Sequence, residues 1–316
     1  WSTARAAKIA VINAVGPIHS GRGMPGSSIG SESISRALEK ARKDGSVEAI
    51  LLRIDSGGGS VIASDAIARE VKLCTEGDNA KPIVASMGPT AASGGYYIAA
   101  YADEIVAYPT TLTGSIGVLA PFPNIEKLLQ KQQIGWGVVK TSESADFGSL
   151  YRRLSEEEQE QMRAYIDSSY RRFISTVAEA REMSEEEVDE SARGRVWTGR
   201  QAEERNLVDR LGGISRAIEI LREQADLPDE VELVDYSFAG TAWGTFTIDT
   251  LSDETLSRLA ALGLAGPMPA AGRLPYPVDT LPEELRAFAE YLQAARPEER
   301  RTPLYLMPYH VPGFSD

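Results

Sequence analysis

Two kinds of apolar pattern alternate along the first half of the chain. Lys8–Val15, Val47–Ile54 and Pro82–Met87 are short and mostly apolar throughout, as strands covered on both faces should be. Between them, Ser31–Lys43 sets Ile34 and Leu38 four residues apart, and Val61–Thr75 sets Ile67, Val71 and Cys74 at helical spacing. Strands alternating with helices predict a mainly parallel sheet, with its chemistry on loops at the strand C-termini. Gly16–Gly30, with glycine at 16, 21, 23, 26 and 30, is expected to be a loop too polar for the core.

The second half has a shorter rhythm. Asp103–Ala107 and Gly114–Val118 predict brief strands, Pro123–Gln133 a helix, Trp136–Lys140 a strand and Thr141–Ser149 a polar loop. A long helix is expected from about Ser155 to Arg181. Ser184 with Glu187 has capping-box spacing, and Thr198 is placed to cap a helix over Gly199–Arg205. Ile214–Gln224 and Val231–Tyr236 predict the last helix and strand of a unit covering 1–237. Beyond it, glycine, proline and alanine surround helical stretches near Glu254–Leu262 and Pro282–Ala295. Residues 238–316 are expected to be an extension that wraps or docks.

Composition narrows the chemistry. With 316 residues, 42% of them apolar, the chain can bury a large core. A formal net charge of −13 argues against nucleic acid as a partner. His19 and His310, the only histidines, lie near opposite ends of the chain, so neither a Ser-His-Asp triad nor a histidine metal site is supported. Cys74 is the only cysteine, which excludes an intrachain disulfide and suits a packed core thiol. No apolar run approaches the 18 or so residues of a membrane span, and no cofactor or metal is expected.

Two glycine corners are the candidate chemistry. After Pro82–Met87 comes Ala91-Ala92-Ser93-Gly94-Gly95-Tyr96-Tyr97, a strand, a turn and a helix with serine at the bend. Ser93 there is either a nucleophile approached over glycine or a helix cap. After Val47–Ile54 comes Asp55-Ser56-Gly57-Gly58-Gly59-Ser60, whose amides could face a developing oxyanion. Two such corners can face each other across one cleft.

These stretches, with Thr111-Leu112-Thr113-Gly114-Ser115-Ile116-Gly117, Val196-Trp197-Thr198-Gly199 and Leu207-Val208-Asp209, resemble the signal peptide peptidase A family, also called protease IV. Gly57 departs from the proline usual there. The resemblance implies a Clp protease/crotonase-like α/β fold of repeated β-β-α units, with a helical C-terminal extension here. It also implies a serine endopeptidase with a Ser/Lys dyad, acting on remnant signal peptides or other apolar extended peptides. Ser93 falls on the nucleophile, Gly58 and Gly94 on the oxyanion amides, and Ser115 on the hydroxyl that holds the base lysine.

The base itself is missing from its family position, which here is Ala145. The chain is similar to the C-terminal, serine-bearing unit of the long tandem form, whose lysine lies in the N-terminal unit. A lysine-bearing N-terminal unit of the same protein is therefore an expected partner, with Lys140 as a competing base and Lys127 and Lys81 behind it. The resemblance further implies homo-oligomers and membrane association on the extracytoplasmic side. The alternatives are a crotonase-like acyl-thioester enzyme and a non-catalytic scaffold subunit.

Overall fold

A computed structural model describes residues 7–24, 26–77 and 79–237; the expected extension over 238–316 lies outside the described residues. In chain order the elements are β1 (Lys8–Val15), β2 (Ile18–His19), β3 (Ile29–Gly30), α1 (Ser31–Lys43), β4 (Val47–Ser56), α2 (Val61–Thr75), β5 (Ile83–Ala92) and α3 (Gly94–Ala99). They continue with β6 (Glu104–Ala107), β7 (Leu112–Gly114), α4 (Glu126–Lys131), α5 (Glu156–Ala180), α6 (Glu185–Ser191), β8 (Val196–Thr198), α7 (Gly199–Glu203), β9 (Arg210–Leu211), α8 (Ile214–Gln224) and β10 (Glu232–Asp235). The α/β class expected from the sequence is the one observed.

The sheet runs in the order β10-β1-β4-β5-β6-β9, and these neighbours are all parallel. Successive side chains of a strand point to opposite faces. Ala10, Ile12, Ile50, Leu52 and Ala85 enter the larger core cluster, together with α1, α2 and α3 residues. Ile9, Val11, Leu51 and Val84 enter a second cluster under Ala217, Ile220 and Leu221 of α8. Burial on both faces is why the central strands read as almost continuous apolar runs. Cys74 is fully buried in the larger cluster, and burial pushes its thiol up to about 12, which leaves it protonated and inert.

β5 positions the site. It outruns the predicted Pro82–Met87, continuing through Gly88 and Pro89 to Ala92, and it changes neighbours on the way. Val84–Ser86 pair with β6, whereas Thr90–Ala92 pair with β7. On its other side, Ala91 is in register with Ser56 at the end of β4. Gly57, Ser93 and Ser115 are thus the first residues past three adjacent strand ends. Neighbouring strands lie ~4.8 Å apart, so the three backbones leave the sheet side by side.

The predicted loop over Gly16–Gly30 is partly core. Ile18 and Ile29 are 3% and 1% exposed and sit in the short parallel pair β2–β3. Of the predicted strand over Gly114–Val118 only Gly114 belongs to a strand, as the last residue of β7 (Leu112–Gly114); Ser115, with φ 49°, ends it. Trp136–Lys140 forms no strand: it is exposed, Gly135 and Gly137 flank Trp136, and the indole lies 5.7 Å from the Tyr151 ring. The helix over Pro123–Gln133 contracts to α4, which buries no residue. The expected Ser184–Glu187 capping box forms, and Thr198 caps α7 as expected, in a box with Gln201, although α7 ends at Glu203, two residues short of Arg205.

Candidate active site

Ser93 sits between the end of β5 and the start of α3 with φ 53° and ψ −120°. An L-residue adopts such a backbone only under constraint, at a cost of about 1–3 kcal/mol. The constraint is visible on both sides. The Ser93 N–H donates to the Gly114 carbonyl at 2.9 Å, and the Ser93 carbonyl accepts from the Tyr97 N–H at 2.9 Å. α3 itself is wholly buried, with the Tyr96 hydroxyl donating to the Leu207 carbonyl at 2.9 Å. The Ser93 side chain makes no capping hydrogen bond. The helix-cap alternative therefore fails, and the hydroxyl is left to the cleft.

The triple-glycine corner is pressed against this bend. A Cβ on Gly58, whose φ is 100°, would stand 2.7 Å from the Gly94 nitrogen and 2.9 Å from Ser93 Cβ. A Cβ on Gly94 would stand 2.5 Å from Ser64 Oγ and 3.2 Å from the Gly59 nitrogen. Only glycine lets the two backbones approach this closely. Around Gly57, by contrast, there is open space.

The Gly58 N–H is already committed, donating at 3.0 Å to Ser56 Oγ, which in turn donates to the Gly16 carbonyl at 2.7 Å. No backbone acceptor is seen for the Gly59 or Gly94 amide among the described residues. Ile18 explains the orientation of Gly59: it donates to the Gly58 carbonyl at 3.0 Å and accepts from the Ser60 N–H at 2.9 Å, so the Gly59 amide turns the other way. Gly58 thus shapes the corner where it meets the Ser93 bend. The sequence signal was the glycine run itself; how it is held depends on Ser56.

Ser115 follows β7 as Ser93 follows β5, also at positive φ. Its N–H donates to the Arg195 carbonyl at 2.7 Å, and its hydroxyl has no partner among the described residues. Ser93, Ser115 and Gly59 line one open cleft of about 690 Å³, walled by apolar Val61, Val118 and Ile166. Thr113 braces the floor, its hydroxyl donating to the Ala91 carbonyl at 2.7 Å. Among the described residues, no cluster of side chains suits a metal ion.

The model of Peptidase family S49 matches residues 75–228, a stretch that holds Ser93, Ser115 and the α5 wall. An Enterococcus faecium relative that carries the signal peptide peptidase SppA name is 34% identical over 239 residues, covering 72% of this chain and 69% of the relative. The chain belongs to the signal peptide peptidase A family. Protease 4 of Salmonella typhi is 42% identical over 219 residues, 69% of this chain but 35% of the relative. This chain therefore spans about a third of that protein's length. Among solved structures, a ClpP1 variant from Listeria monocytogenes aligns with a TM-score of 0.44 at 16% identity, covering 66% of this chain and 94% of that one.

In this S49 chain the amines stand away from the serine. All eight lysines lie between Lys8 and Lys140, and none lines the cleft. Lys140 donates to the Glu143 carbonyl at 2.7 Å and to Asp146 at 3.1 Å on an exposed stretch. Its Nζ is thus held by local acceptors and does not line the cleft. Burial lowers the Lys81 pKa, as a base requires. Its Nζ, however, donates to the Ala41 and Asp44 carbonyls, and it precedes β5 whereas Ser93 follows it, about 33 Å of strand away. Ala145 is exposed in a loop tied down by Arg152, which pairs with both Asp146 and Glu158. In the presence of a lysine-bearing family unit, Lys140→Ala is expected to leave the rate of Ser93 acylation within about twofold of the parent, as surface changes away from a site usually do; intact-mass kinetics with a fluorophosphonate checks it.

Proposed function

We propose that this chain is the nucleophile-bearing unit of a Ser/Lys-dyad serine peptidase, completed by a lysine from another unit. The Ser93 hydroxyl attacks the scissile carbonyl carbon and its proton passes to the partner's lysine amine. The Gly59 and Gly94 amides donate to the oxyanion that forms, where preorganised donors contribute most. Collapse breaks the C–N bond, and the leaving amine takes the proton back from the lysine. Water, deprotonated by the same amine, then releases the acyl group from Ser93. Ser115 accepts a hydrogen bond from the lysine and orients it, and the dry setting of a closed interface keeps that amine neutral.

The observation that carries this reading is the strained Ser93, its hydroxyl unbonded, beside two amides with no backbone acceptor among the described residues, in a cleft that no lysine of the chain reaches. The apolar walls suit an extended apolar peptide such as a remnant signal peptide, paired through its backbone to a strand. The partners would be a lysine-bearing N-terminal unit and further copies of the assembly. Family likeness favours a membrane-associated, extracytoplasmic location. Among the described residues, no helix is long and apolar enough to cross a membrane.

The test is cleavage of an extended apolar peptide by this chain mixed with a lysine-bearing unit of the family. Cleavage by the mixture, and by neither part alone, is the expected result. Cleavage by this chain alone would contradict the shared dyad. Failure of the mixture together with tight acyl-CoA binding would instead favour the acyl-thioester chemistry of the crotonase class.

A further inference from the structure

The Ser115 backbone has a strained geometry whose support lies on other elements. Ser115 has φ 49°, and the turn beside it contains two consecutive left-handed residues, Arg193 at φ 57° and Gly194 at φ 71°. Two hydrogen bonds clamp these stretches together. The Ser115 N–H donates to the Arg195 carbonyl at 2.7 Å, and the Gly194 N–H donates to the Ile116 carbonyl at 2.8 Å. There is no slack between them, because a Cβ on Gly117 would come within 2.9 Å of Gly194 Cα. Whatever fixes the Arg193–Arg195 turn therefore fixes Ser115.

We propose that Tyr170 is a positioning residue for Ser115, acting through this turn. Tyr170 lies on α5, lines the same cleft, and holds the turn by both functions of its hydroxyl. The O–H donates to Asp189 Oδ1 at 2.5 Å, and the phenol oxygen accepts from the Arg193 N–H at 3.2 Å. The other carboxylate oxygen, Asp189 Oδ2, accepts from Arg193 Nε at 2.9 Å. Tyr170 and Asp189 thus grip Arg193 by its backbone and its side chain, which offsets the cost of a left-handed non-glycine residue. Burial raises the Tyr170 pKa, so the O–H is present as a donor at neutral pH. The relevance of this grip to catalysis rests on the lysine-orienting role proposed above for Ser115.

Tyr170→Phe keeps the ring and removes both hydrogen bonds. Amide exchange followed by NMR on the full chain is expected to show the Ser115 and Gly194 amides exchanging roughly three- to tenfold faster, the scale of losing one such bond. Core strand amides should be unchanged, and Tyr165→Phe, an exposed tyrosine on the same helix, should be silent. Unchanged protection at Ser115 and Gly194 would overturn the proposal, as would loosening spread evenly over the core. In the assembled enzyme, Tyr170→Phe should slow Ser93 acylation about tenfold without added loss on a Ser115→Ala background. Additive losses would mean that Tyr170 does not act through Ser115. If Ser93 takes no label in any form, the peptidase function fails, while the exchange result still decides the role of Tyr170.

Discussion

Ser93→Ala is expected to lower kcat/KM of the assembled enzyme by roughly 10⁴- to 10⁶-fold, the loss seen when a nucleophilic serine is removed from a working dyad or triad. Stability should barely change, because the hydroxyl makes no capping bond to lose. Ser93→Gly separates chemistry from strain. It removes the same hydroxyl but also the Cβ that disfavours φ 53° and ψ −120°, so it should abolish activity while raising unfolding free energy by about 1 kcal/mol. Denaturant unfolding reads the second effect directly. A glycine variant less stable than the alanine variant would mean that the bend is not strained, and the case for a constrained nucleophile would weaken.

The next largest effect is expected at Gly58, although its amide is not a free donor. Gly58→Ala would place a methyl group 2.7 Å from the Gly94 nitrogen, 2.9 Å from Ser93 Cβ and 3.0 Å from the Ala92 carbonyl oxygen, on a backbone with φ 100°. Two of these three contacts are backbone atoms, so no rotamer change relieves them. Overpacking costs about 1–3 kcal/mol, and the positive φ adds about 1–2 kcal/mol. The variant should lose at least about 3 kcal/mol of stability. Movement of the Gly94 amide should cost a further 10²-fold or more in kcat, as loss of an oxyanion donor does. Retained kcat in a folded Gly58→Ala variant would show that the corner tolerates displacement and that the paired amides are not the oxyanion site.

Much of the scaffold was legible because its causes are local. β1, β4 and β5 are buried on both faces and so are mostly apolar throughout, while α1, α2 and α8 declare themselves by apolar residues one turn apart. Ser184 and Thr198 cap helices through contacts three residues away, within reach of any pattern. The site was legible as two glycine corners and a second serine, but not in its details. How Gly57-Gly58-Gly59 is held is decided by Ser56 folding back to Gly58 and by Ile18 arriving from β2. The grip of Tyr170 on Arg193 spans 23 residues, and no periodicity signals it. The stretch 119–154 misled for a physical reason: Val138 and Val139 have strand-like composition, yet they are exposed and pair with no strand among the described residues.

The central claim is that Ser93 is a competent nucleophile lacking only its base. Its most direct test is fluorophosphonate labelling of the purified chain, read by intact mass, with and without a lysine-bearing family unit and with Ser93→Ala as control. The expected result is little labelling of the chain alone, rapid single labelling once the second unit is present, and none in the alanine variant. Rapid labelling of the chain alone would place a base within it. Labelling that survives Ser93→Ala would remove Ser93 from the chemistry altogether.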